Sequence, residues 1–284
     1  MKIAICAIIK NENVYLREWV EYHRGLGFDK IIIYDNNSID GEVPHQVIGD
    51  YVMSEFVDVI NVRGYEWGNV DGRLQPRVYN DCIKTYKNNY SWIAFIDVDE
   101  FITIDEKEPQ NIHNLFEKYG YDARGFEQLV MSWYLIGDDD KLNYEDKPVT
   151  QRFTKHRPYK DIFDGISEAW VKSMVRTDTV KDGEVGVHFT QNKYTCDAYC
   201  RWVQPSNDGF LAQLSDPLHD IIYIRHYFSK SLCEHLAKQR NLKSSTTSDN
   251  RMSSYKTING WNDEKEKVYK TFVEYINSPK KIQD

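Results

Sequence analysis

Three acids, Asp97, Asp99 and Glu100, stand together in WIAFIDVDEFI (residues 92–102), directly after an apolar run rich in β-branched and aromatic residues. Such a run, stopped abruptly by carboxylates, reads as a buried strand whose carboxyl end presents acids, the place where ligands bind in open α/β sheets. Carboxylates two apart in extended chain point the same way. Asp97 and Asp99 are therefore expected to grip one hard cation, Mn2+ or Mg2+, while Val98 turns back into the core. The bland alternative is a solvated acidic turn, and the apolar blocks IAFI and FITI on either side argue against it. A borderline ion such as Mn2+ also accepts imidazole, so His188 (GVHF) and His226 (IRHY) are candidate ligands, each weighed against a structural histidine. Lys172 and Lys230 are candidate anion partners, each weighed against an exposed surface cation.

Further polar groups fall where other strands should end. Asp35 closes the run KIIIY and can accept hydrogen bonds from a base or ribose, with Asn37 in the turn beside it, although Asx residues favour such bends anyway. Lys10 and Glu12 lie in a polar loop after the first apolar run, and Arg73 and Gln75 precede or open a helix. Trp133, Tyr134 and Trp170 offer aromatic faces for a sugar, against a role in the core.

The elements that must position these groups can be read from periodicity. Strands are expected over 2–9, 30–34, 57–62 and 92–96, with helices over 14–26 and 75–86 between them. Alternation of this kind predicts a parallel sheet with right-handed crossovers and its loops gathered at one edge. The second half carries β-like runs at 125–136, 149–154, 169–176, 185–189 and 221–227, read as a mixed extension of the sheet. A helix over 231–242, a Ser/Thr-rich loop over 243–254 and an amphipathic helix over 263–277 complete the chain. The domain reading is a single catalytic unit over 1–242, with a ligand-binding half to 104 and an acceptor half from 105, followed by the loop and helix of 243–284.

A chain of 284 residues with a formal charge of −8 has no overall basic face for nucleic acid. Its five cysteines are odd in number and lack zinc-ligand pairing, which reads as reduced thiols in a cytoplasmic protein. No apolar stretch reaches the length of a membrane span, and peripheral attachment at the inner face of a membrane stays compatible.

KNENVYLREWVEYHRGLGFDKIIIYDNNSIDG, WIAFIDVDEFI, MSWYLIG, WVKSMVR, VHF and IRHYFSKSLCEHLAKQRN follow one another in an order that resembles the GT-A glycosyltransferases related to glycosyltransferase family 92 and their bacterial family-2-like relatives. The resemblance implies a Rossmann-like α/β fold, a nucleotide-sugar donor with UDP-galactose the leading choice, and a cation held by the Asp-x-Asp. It also implies inversion at the sugar carbon and a glycan or lipid-linked saccharide acceptor in surface polysaccharide synthesis. A cation bridging both phosphates of a leaving diphosphate neutralises its developing charge. Lys10, Glu12, Asp35, Asn37, Arg73, Gln75, Asp97, Lys172 and Lys230 are then candidates for the donor, and Trp133, Tyr134 and Trp170 for the acceptor. Inversion needs a carboxylate to take the acceptor's proton; Glu168 (ISEAW) is the first candidate and Asp138 its rival. A nucleotidyltransferase and a non-catalytic carbohydrate-binding module are the alternatives, the former weakened because KNENVYL lacks the glycines of a triphosphate loop.

Overall fold

The computed structural model describes residues 1–41, 43–62, 74–158, 167–181, 183–204, 206–207, 212–241 and 245–277. In the first half, strands β1 (Ile3–Ile9), β2 (Lys30–Asp35), β3 (Val57–Asn61), β4 (Trp92–Phe95) and β5 (Glu100–Ile104) are interleaved with helices α1 (Asn13–Gly25), α2 (Pro44–Val47), α3 (Gly49–Met53) and α4 (Leu74–Tyr86). Then come α5 (Ile112–Tyr119), β6 (Gln128–Leu135), α6 (Val149–Arg152), β7 (Val171–Arg176), β8 (Thr195–Cys196), the short pair β9 (Ser206–Asn207) and β10 (Ala212–Gln213), and β11 (Ile222–His226). Three helices close the chain: α7 (Leu232–Asn241), α8 (Ser245–Asn259) and α9 (Asp263–Asn277).

Among the described residues the main sheet runs β3-β2-β1-β4-β7-β6-β11-β5, with β8 paired to β6. Its first four strands are parallel, as alternating strand and helix dictate. From β7 onward the pairings include antiparallel ones, so the extension is mixed. The order reverses direction between β1 and β4, which makes the carboxyl end of β4 a topological switch point.

Packing explains the order. Val78, Tyr79, Cys82 and Ile83 of α4 are buried against Ala4, Cys6, Ile32, Ile93 and Phe95, which forms the core on one face of the parallel strands. Leu16, Trp19, Val20 and His23 form the buried stripe of α1, at the spacing that predicts it. Trp19 Nε1 donates to the Glu100 carbonyl at 2.8 Å, and the Ile102 N–H donates to His23 Nε2 at 3.2 Å. Helix α1 is thereby fastened to the strand that follows the acids.

The chain separates into two compact units, Met1–Tyr134 with Glu168–His226, and Leu135–Ser167 with Tyr227–Asp284. They interleave along the sequence, an arrangement that a linear division at residue 242 does not express.

Three expected elements differ. Residues 149–152 form a helical turn instead of a strand, because Arg152 is drawn into a two-pronged contact with Glu234 at 2.8 and 2.9 Å. Residues 185–189 form no ladder, because the side chain of Asn80 takes both the N–H and the carbonyl of Val185 at 3.0 Å. The expected Ser/Thr loop is helical from Ser245, since Met252 and Tyr255 bury against Leu232 and Leu236 and packing overrides weak local propensity. Among the described residues no helix is long and apolar enough to cross a membrane.

Candidate active site

Three strand registers, all within the first unit, build the site. Strands β4 and β7 pair with Phe95 opposite Ser173, which sets Lys172 one step beyond, beside the end of β4. Strands β5 and β11 pair with His226 opposite Glu100, which brings the imidazole next to Asp99. At the end of the β6–β7 ladder the Trp133 N–H donates to the Trp170 carbonyl at 3.0 Å, and the two indoles meet at 5.2 Å.

Residues 97–100 form a closed turn. The Glu100 N–H donates to the Asp97 carbonyl at 3.0 Å, and Glu100 Oε2 accepts from the Asp97 N–H at 2.8 Å. The turn gives the two aspartates different partners, although the Asp99 charge still acts on Asp97. Asp97 faces Lys172 Nζ at 2.8 Å and Gln75 Nε2 at 2.7 Å, one on each carboxylate oxygen. Asp99, 8% exposed, has its Oδ1 3.9 Å from His226 Nε2. Val98 is buried at the tip of this turn.

Electrostatics follow burial and charge. Desolvation pushes the Asp97 carboxyl up, but the charge and hydrogen bond of Lys172 hold it below the usual carboxylate range. Burial works to lower the Lys172 pKa, yet Asp97 and Glu100 together raise it, so the ammonium stays charged. Glu100 is fully buried, and desolvation, only partly opposed by Lys172, pushes it up to about 8. A Glu100 that keeps its proton at neutral pH leaves Lys172 and Asp97 as a matched pair of charges. Burial, then the Lys172 charge, push His188 down to about 3. Its Nδ1 lies 3.1 Å from the Val171 carbonyl, which can only accept, so Nδ1 carries the proton and Nε2 the lone pair.

The chemistry of these donors decides what fits a cation. Asp99 and His226 supply a hard carboxylate and a borderline imidazole, a set suited to Mn2+, and the neutral His188 has a lone pair to offer. Asp97 does not fit, since both its oxygens are taken by an ammonium and an amide. Among the described residues, no three His, Cys, Asp or Glu side chains converge as a full ligand set, so phosphate and water oxygens have to complete any shell.

The remaining candidates divide. Lys172 is fully buried and bound to Asp97, so it neutralises a carboxylate instead of meeting a phosphate. Gln75 is at the site, but its amide is spent on Asp97 and the Tyr79 hydroxyl. Asp35 is 3% exposed and its Oδ1 accepts from the Ser38 N–H at 3.0 Å, so turn chemistry accounts for one oxygen. The loop after β1 is stitched to this turn: the Asn11 N–H donates to Ser38 Oγ at 3.0 Å, and the Ile39 N–H to Asn11 Oδ1 at 2.7 Å. Lys10 and Asn37 are exposed at that edge, with Glu12 half-buried beside them. Arg73 lies outside the described residues.

Trp133 and Trp170 are 5% and 6% exposed, and Trp133 packs on His226 at 4.3 Å and His188 at 5.6 Å, so it offers no open face for stacking. Their indole N–H groups are buried and have no hydrogen-bond partner among the described residues. A lone buried donor costs about 1–3 kcal/mol. Tyr134 projects to the opposite face of β6, as strand alternation demands, and packs on His219 and Tyr223 at 5.0 and 5.3 Å. Glu168 is 1% exposed at the turn into β7.

Asp138 and Lys230 belong to the second unit. Asp138 is fully buried; its Oδ2 accepts from the Tyr255 hydroxyl and the Lys265 ammonium, both at 2.7 Å, and its Oδ1 from the Asp140 N–H at 2.9 Å, so both oxygens are engaged within the second unit. Lys230 is 4% exposed, not a surface cation.

The profile of glycosyltransferase family 92 matches residues 2–273. The chain belongs to glycosyltransferase family 92. Its α/β fold is the GT-A type that the motifs imply. A glycosyltransferase family 92 protein of Ricinus communis is 33% identical over 54% of this chain and 26% of its own length. A galactan beta-1,4-galactosyltransferase of Arabidopsis thaliana is 28% identical over 62% of this chain and 34% of its own. The chain thus spans about a quarter to a third of the length of these relatives. Among solved structures, S. aureus TarS 1–349 in complex with UDP aligns with a TM-score of 0.43 at 11% identity, covering 98% of this chain and 81% of that one.

Proposed function

We propose that this family 92 domain is a metal-dependent hexosyltransferase that moves galactose from UDP-galactose to a hydroxyl of a glycan or lipid-linked saccharide, inverting the sugar carbon. The observation that carries the reading is Asp99 beside His226 at the carboxyl end of the central strand, with the neighbouring Asp97 already neutralised by Lys172. Galactose is supported by the galactan galactosyltransferases to which the chain is similar, and the UDP carrier by the motif resemblance.

A divalent ion held by Asp99 and His226, with His188 in reserve, would supply positive charge to the diphosphate as it leaves. In the reaction the bond from the sugar carbon to the diphosphate breaks, a bond to the acceptor oxygen forms, and the acceptor's proton passes to a carboxylate. Glu168 is the carboxylate we assign to that step. It is buried at the turn into β7, beside Ala169 and Trp170. Lys10, Glu12, Asp35 and Asn37 border the stitched edge at the ends of β1 and β2, which we assign to the nucleoside. Synthesis of a surface polysaccharide from the cytoplasmic side of a membrane is the setting we infer.

The test is UDP release from UDP-galactose, with and without a saccharide acceptor, in Mn2+ and after chelation. Release that requires both the metal and the sequence-intact domain supports the reading. No release with any UDP-hexose, alongside retained saccharide binding, would point to a carbohydrate-binding module. Glu168→Gln should bind UDP normally and lose most transfer; unimpaired transfer removes it from the base position.

A further inference from the structure

Two tryptophans beside the carboxylates carry hydrogen-bond donors that the protein itself leaves unused. Trp133 Nε1 and Trp170 Nε1 are both buried and both without a partner, in rings that are 5% and 6% exposed. Buried polar groups are almost always paired, so two orphaned donors on neighbouring rings ask for an explanation. The rings lie 5.2 Å apart, Trp133 stands 4.3 Å from His226, and both approach His188, at 5.6 and 6.0 Å. The donors therefore belong to the shell of side chains around Asp99 and not to a remote part of the core.

Packing alone does not account for them. A phenylalanine fills a core position without burying a donor, and among the described residues no hydrogen bond of either ring calls for an indole. Stacking on a sugar does not account for them either, because so little of either ring is exposed. Nor are they metal ligands, since an indole N–H only donates. What a pair of neutral, fixed, buried donors complements is an oxygen with free lone pairs that arrives with the ligand.

We propose that the indole N–H groups of Trp133 and Trp170 are specificity-determining donors that hydrogen-bond an oxygen of the bound nucleotide sugar. The proposal rests on the reading of the site as a nucleotide-sugar site. The oxygen belongs either to the diphosphate or to a hydroxyl of the hexose, two sources with the same acceptor chemistry. In both cases binding converts two unsatisfied donors into satisfied ones, so the protein's own unpaired groups favour the loaded state.

Trp133→Phe and Trp170→Phe keep an aromatic ring and remove only the donor and the second ring's bulk. Calorimetric titration of each variant with UDP and with UDP-galactose, in Mn2+, should show affinity reduced by roughly threefold to tenfold per variant. In parallel, the indole N–H resonances of the 15N-labelled wild-type protein, assigned from their through-space contacts to neighbouring residues, should move downfield on ligand addition. A loss for both ligands places the oxygen on the diphosphate, and a loss for UDP-galactose alone places it on the hexose. Either result upholds the proposal. Unchanged affinity for both ligands in both variants, or indole resonances that do not move in the wild type at saturation, overturns it. The resonance readout needs no variant to fold. If the wild type binds neither UDP nor UDP-galactose, the nucleotide-sugar reading falls and this proposal with it, a result distinct from normal wild-type binding with indifferent variants.

Discussion

At the scale of single residues, the site depends on one buried lysine. Lys172 has no exposed surface and answers Asp97 at 2.8 Å and Glu100 at 3.5 Å. Removing one partner of a buried pair leaves an uncompensated charge, which costs about 3–5 kcal/mol. We therefore expect Lys172→Met to destabilise the fold, read as a lower urea midpoint, with Asp97→Asn less damaging because Glu100, 3.5 Å from Lys172, can release its proton and answer the ammonium once the Asp97 charge is gone. A Lys172→Met protein as stable as wild type would show that the ammonium is dispensable. The acids themselves were legible in the sequence, because their signal is local: an apolar run followed by carboxylates. Their partners were not. Lys172, His226 and Gln75 lie far from Asp97 along the chain, and only strand register and helix placement bring them near. Glu100 carried a weak local signal, since an acid three residues after Asp97 can cap the Asp97 N–H and close the turn. That Asp97 and Asp99 meet different partners goes with that turn, which an extended strand geometry does not foresee.

At the scale of elements, the βαβ half was legible because its buried runs and the stripe on α1 follow simple periods. What periodicity missed were segments ruled by a single distant side chain, such as Asn80 at Val185, or by packing, such as α8. Helix α1 adds a pH dependence. His23 is fully buried, and burial, only partly opposed by its contact with the Trp19 carbonyl, pushes its pKa from 6.5 down to about 3. The unfolded chain takes up a proton below about 6.5 that the native ring refuses, so this contribution to stability is complete above pH 6.5 and is lost as pH falls toward 3. His23→Gln should flatten the fall in urea midpoint between pH 6.5 and 4; an unchanged slope would mean that His23 does not titrate there. For α8, Met252 is 5% exposed against Leu232 and Leu236. Met252→Ala should cost about 2–5 kcal/mol, read as lost amide-exchange protection along α8. Protection equal to wild type would show that the helix stands without that contact.

At the scale of the whole molecule, the formal charge of −8 disfavours nucleic-acid partners, and the match over residues 2–273 places nearly the entire chain in one family. The two compact units have separate polar cores. The first holds Asp97, Lys172 and Glu100; the second holds Asp138 with Tyr255 and Lys265, and Arg152 with Glu234. Two buried carboxylates thus do unlike work: Asp138 is fully engaged in holding the second unit together, whereas Asp99 stands beside an imidazole at a strand end. The neutralisation of Asp97 by Lys172 and the place of Asp99 beside His226 carry the central claim of our proposal, that Asp99 is the carboxylate for the cation and Asp97 is not. Its most direct measurement is Mn2+ binding in the presence of UDP, followed by electron paramagnetic resonance, for wild type, Asp97→Asn and Asp99→Asn. The expected result is Mn2+ affinity close to wild type in Asp97→Asn and at least tenfold weaker in Asp99→Asn, both folded by circular dichroism. Weakened binding in Asp97→Asn together with wild-type binding in Asp99→Asn would contradict the claim.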